Sequence, residues 1–77
     1  MILKRAQAVA FVEALLVARL SGGQIRCLSF PGHRVVGYNH HGQIVARQLA
    51  ADDSTQIAVE HYRTLADFEG AYRSSPE

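Results

Sequence analysis

The sequence predicts an α+β fold: a long N-terminal helix, an antiparallel meander of three to four strands, and a short C-terminal helix packed on the sheet. Three observations carry that expectation. Residues 2–20 are rich in alanine and leucine and hold no proline or glycine. Gln24–Leu49 places β-branched and aromatic runs around two tight-turn signals. Leu65, Phe68 and Tyr72 recur at helical spacing near the C-terminus.

The first helix is expected over Ile2–Leu20. Ser21-Gly22-Gly23 stops it, because glycine takes the left-handed conformation that closes a helix. Two apolar stripes run along it at helical spacing. One is Leu3, Ala10, Phe11, Ala14 and Ala18, with Leu15 beside it; the other is Val9, Val12, Leu16 and Leu20. A single sheet covers one stripe, so the second is expected under another helix or a second subunit, with Val9, Val12 and Leu16 at a homodimer interface. Glu13 interrupts the ring. It is too costly to bury alone, and is expected in solvent or paired with Arg26, Arg34 or Arg47. Lys4-Arg5 before an apolar run imitates a secretory signal. Glu13 argues for a packed helix instead, and the run is too short to span a bilayer, so no membrane association is expected.

Pro31-Gly32 sits between two strand-like runs. Proline presets φ at the first central turn position and glycine takes positive φ at the second, so Phe30 and His33 are expected to flank a hairpin turn. In the first strand Arg26, Leu28 and Phe30 share one face, and Ile25, Cys27 and Ser29 the other. Cys27, mid-strand, is expected as a buried, inert thiol. Asn39-His40-His41-Gly42 is the second turn signal, with Gly42 left-handed. The third strand runs Gln43–Leu49, its register open, because a one-residue slip exchanges its faces. In every register one sheet face can lie under a helix while the other stays partly apolar.

Ala50–Ser54 is a loop. Thr55–Tyr62 fits either a strand, with Ile57, Val59 and His61 alternating, or a helix; the strand is favoured because Thr64 and Asp67 already form a helix start. The second helix then covers Leu65–Arg73, and Ser74–Glu77 is a frayed end.

The 77 residues make one small domain. Such a chain buries only roughly 60% of its unfolded surface. Hydrophobic residues are 48% and charged residues 19%, so the surplus apolar surface calls for a partner. A net charge of +1 is too small a bias for electrostatic binding of nucleic acid or anionic lipid. One cysteine excludes an internal disulfide framework, and a cytoplasmic location fits best.

No motif specifies a reaction, cofactor or metal. His33, His40, His41 and His61 lack the helical pair spacing of a zinc site, and Cys27 has no second cysteine at ligand spacing. The element order resembles that of small bacterial toxins that cleave RNA with one histidine, which would make His33 the general base; their glycine-serine-histidine stretch is absent here. The double-stranded RNA-binding domain shares the order, but it needs a lysine cluster where this chain has Leu65-Ala66-Asp67-Phe68-Glu69. Arg26, Arg34, Arg47 and Arg63 gathered on one sheet face would be the basis for nucleic-acid contact. The reading ranked first is a non-enzymatic protein-binding module, an inhibitor or adaptor that occludes a larger partner, possible also as a homodimer. Anti-CRISPR proteins and antitoxins of phages and mobile elements are of similar size and plainness. Arg34, Tyr38, Tyr62, His40 and His41 are the expected contacts, since tyrosine and arginine are enriched in binding hot spots.

Overall fold

The computed structural model describes residues 1–75, so Pro76 and Glu77 of the expected frayed end lie outside the described residues. The order is α1 (Arg5–Leu20), β1 (Cys27–Phe30), β2 (Arg34–Tyr38), β3 (Ile44–Leu49), β4 (Gln56–Tyr62) and α2 (Leu65–Arg73). The four strands form one antiparallel meander in the order β1-β2-β3-β4, so residues 56–62 are strand, as the alternation of Ile57, Val59 and His61 indicates. Both helices lie on the same face.

Register follows from the turns. Leu28 pairs with Val36, Val36 with Ala46, and Ala46 with Glu60. That row faces the helices, and Val36, Ile44 and Ala46 join Leu3, Ala8, Phe11 and Phe68 in the core. The next row, Cys27, Gly37, Val45 and His61, faces the other way, and no helix lies over it. Val45 is still buried among its neighbours, whereas Ile57 and Val59 are exposed. Cys27 is therefore exposed, contrary to the buried thiol expected from its mid-strand position. An edge strand with one uncovered face leaves half its side chains in solvent.

Helix α1 begins three residues later than composition suggests. Ile2–Lys4 are held outside it: the Ile2 amide donates to Glu60 Oε1 at 2.6 Å, and Leu3 inserts into the core. The Lys4 amide donates to Gln7 Oε1 at 3.0 Å, satisfying one of the N–H groups that a helix start leaves unpaired. At the far end Gly22 has φ 74°. Its amide reaches Arg19 O at 3.2 Å and the Gly23 amide reaches Ala18 O at 2.8 Å, the paired bonds of a Schellman stop.

Helix α2 is capped at both ends. Thr64 Oγ1 accepts from the Asp67 amide at 3.1 Å. Arg5 donates through Nε to Tyr72 O and through Nη2 to Arg73 O, both at 3.0 Å, and also to Ser75 O. A guanidinium on terminal carbonyls satisfies them and opposes the helix dipole. Ser74 and Ser75, the described part of the expected frayed end, bond through their amides to Gly70 O and Tyr72 O at 3.2 Å. The same contact sets the start of α1 beside the end of α2, so the helices run antiparallel.

Two predictions arise from these contacts. Gly37 is buried, and a Cβ there would lie 2.7 Å from Cys27 Cβ and against Arg26 O. Gly37→Ala should cost at least the ~1–3 kcal/mol typical of overpacking, read as a lowered denaturant midpoint. Partial burial, and then its hydrogen bond to Glu60, raise the Tyr62 phenol above the ordinary 10.0. A pKa raised on folding gives stability that is complete below the unfolded value and is lost as pH rises above it. The chain should weaken above about pH 10, and Tyr62→Phe should flatten that part of the melting-temperature profile.

Candidate functional site

The expected site residues fall at three separate places. At one end of the sheet the β1–β2 and β3–β4 turns meet. The pair Phe30–Arg34 closes the first turn, so His33 lies inside it, with φ 60°, and does not flank it. Histidine is among the few residue types that tolerate this left-handed region. Asp53 has φ 59°, and its Oδ1 sits 2.6 Å from His33 Nδ1. Gln48 Nε2 donates to Gly32 O at 2.8 Å, and the Leu49 amide donates to His33 O at 2.8 Å. These bonds tie turn to strand. Asp52 does separate work: its carboxylate accepts from the Thr55 hydroxyl and amide and from the Ser54 amide. Those bonds, the Thr55 hydroxyl first, hold its pKa well below the usual carboxylate range.

Arg34 lies on the helix-facing side of the sheet, in register with Gln48. Its Nε is buried without a hydrogen-bond partner, and Gly32 leaves room for its guanidinium, since a Cβ there would lie 3.0 Å from Nη1. It lines a shallow cleft of about 420 Å³ with Phe30, His33 and Asp53. Arg47 pairs with Val35 and Val59 on the opposite sheet face. The arginines therefore do not form the single basic face that nucleic-acid binding required.

Tyr62, expected as a contact residue, is part of the core wall. Its ring packs edge-on to Phe68 at 5.2 Å and its hydroxyl donates to Glu60 Oε1 at 2.9 Å. His61 is on the uncovered sheet face. His40 and His41 stand at the far turn, with ring centroids 3.9 Å apart, on a backbone held by Asn39 Oδ1, which accepts from the His41 and Gln43 amides at 2.9 Å. Among the described residues no group of three or more His, Cys, Asp or Glu side chains is placed to hold a metal ion.

Residues from both expected sets do meet at the C-terminal half of α1. A groove of about 950 Å³ runs between that half, the Gly22–Arg26 segment and the start of the β2–β3 turn. Val12, Leu16, Tyr38 and His40 all line it, with Leu15 and Ile25 between them. Tyr38 is 42% exposed, its ring 6.1 Å from that of Phe11. Val9 and Val12, expected with Leu16 in a second interface stripe, are half-buried and pack against the core. The stripe that is open runs through Leu16, Val17 and Leu20, at 51%, 63% and 89% exposure. Val17 escaped the sequence reading. The signal was its place one turn after Glu13, on the exposed side, three residues before Leu20. Glu13 itself is exposed and makes no ion pair among the described residues. No described helix is long and apolar enough to cross a membrane.

Comparison with protein-family models, curated proteins and solved structures finds no match to the chain.

His33 and Asp53 are 44% and 71% exposed at the side chain, and an exposed ion pair contributes little. A double-mutant cycle with His33→Ala and Asp53→Ala should give a coupling of about 1 kcal/mol or less in thermal or denaturant unfolding.

Proposed function

We propose that the chain is a non-enzymatic protein-binding module, an inhibitor or adaptor that occludes part of a larger partner through the C-terminal half of α1. The observation that carries this is the run Leu16, Val17 and Leu20, three large apolar side chains on adjacent turns and open to solvent. Their combined exposure equals about two whole side chains, worth roughly 3–6 kcal/mol on burial. Association costs about 4–15 kcal/mol in lost freedom. The ridge alone offsets only the low end of that cost, so a stable contact extends into the adjoining groove with Ile25 and Tyr38. Tyr38 supplies a rigid, amphipathic ring of the kind that anchors interfaces. His33, His40 and His61 stand on different turns and strands, so they do not form the converging set that a multi-histidine acid–base site needs.

A photo-cross-linking residue at Leu20 tests the reading in cells of the source organism. Irradiation should give one dominant protein adduct, and Leu16→Asp in the same chain should reduce it about tenfold. An adduct of twice the chain's mass would identify the partner as a second copy. Adducts no different from those at an exposed control position such as Ala66 would remove the proposal.

A further inference from the structure

The groove beside α1 has a charge character that narrows the choice of occupant, and we infer that it receives an acidic amphipathic helix of the partner. This deepens the protein-binding reading and rests on it. Half-buried Leu15 and Ile25 form the apolar floor with the Tyr38 ring beside them, and the exposed Arg19, Arg26 and His40 stand at the rim. No aspartate or glutamate lines it. Neither arginine makes an ion pair among the described residues. Glu13, the one acidic residue of α1, is about 120° around the helix from Arg19 and is not part of the groove.

An apolar floor inside a cationic rim is complemented by an apolar stripe flanked by carboxylates. A helix presents that pattern with apolar residues at i, i+3 or i+4, and i+7, the usual way a helix fills an open groove. A second copy of this chain fits poorly. A two-fold contact sets the same patch against itself, so the cationic rim of one copy would face the cationic rim of the other. Like charges across an interface are unfavourable and select against that pairing.

Selection from a display library of helix-forming peptides, about 14 residues or four turns long, tests the inference on the full chain. Enriched peptides should carry the apolar spacing with Asp or Glu beside it, and should bind the Leu16→Asp chain about tenfold or more weakly. Against the Arg19→Glu/Arg26→Glu chain the same peptides should weaken about tenfold, and the selected flanks should change to Lys or Arg. Enriched peptides with no acidic preference, yet lost on Leu16→Asp, would overturn the inference and leave the binding surface standing. No enrichment, or peptides indifferent to Leu16→Asp, would overturn the binding surface as well. Circular dichroism checks each variant. If the charge-reversed chain fails to fold, Arg19→Gln/Arg26→Gln takes its place and should abolish the acidic preference without reversing it; a preference that persists there overturns the inference.

Discussion

Phe68 is the contact on which the packing of every layer depends. It is completely buried and meets three aromatic rings edge-on: Phe11 of α1 at 5.7 Å, Tyr62 of β4 at 5.2 Å and Tyr72 of its own helix at 5.8 Å. Phe11 in turn leans on Tyr38 of β2. Edge-to-face aromatic pairs of this kind contribute about 0.5–1.5 kcal/mol each beyond the area they bury. In a chain that buries so little, such a cluster replaces a larger aliphatic core. It also fixes where α2 sits, because a nine-residue helix with Gly70 in its interior has little stability apart from the packing of its apolar edge.

The position of α2 explains what remains uncovered. Helix α1 has 16 residues and α2 has nine, about 24 Å against about 13 Å. Arg5 holds the end of α2 at the start of α1. Running antiparallel from there, α2 is exhausted near residue 14 of α1, and its first residue, Leu65, lines the groove. Beyond that point α1 has no helical neighbour. Val17 shares the solvent side of α1 with Glu13, but the exposure of Leu16 and Leu20 is thus a consequence of two helix lengths and one arginine clamp. It is not a consequence of α1's composition alone, since Val9 and Val12, equally apolar, lie alongside α2 and pack inward.

The parts of this structure legible in the sequence are those set by neighbours along the chain. Gly22 and Gly42 take positive φ where the turn chemistry demands it, Thr64 caps α2, and the alternation in β4 outweighs the competing helical spacing. The parts that were hidden depend on distant partners. Ile2 leaves the helix for Glu60, 58 positions away. Tyr62 carries the chemistry of a surface contact, but Glu60 and Phe68 draw it inward. Cys27 follows from the absence of a helix on one sheet face, which no local pattern records. Of the expected binding residues, Tyr38 and His40 share the groove with Leu16 because β2 ends where α1 ends, a coincidence of topology and not of spacing.

The groove owes its walls to backbone bonds more than to the side chains that line it. The Schellman bonds to Ala18 O and Arg19 O turn the chain back under α1. The Tyr38 amide then binds Arg26 O at 3.1 Å, which anchors the returning segment to the sheet. That approach is close enough that only glycine fits at position 37. Backbone amides and carbonyls persist when a surface side chain is exchanged, so the walls do not depend on which residues stand at positions 16, 19, 20 and 26. Those four positions are exposed, and substitution at exposed positions usually changes stability by no more than about 0.5 kcal/mol. The recognition surface and the scaffold are separable here: one is carried by exposed side chains, the other by main-chain geometry and a buried aromatic cluster. A loss of binding on changing Leu16 or the two arginines therefore reports on the surface and not on the fold beneath it.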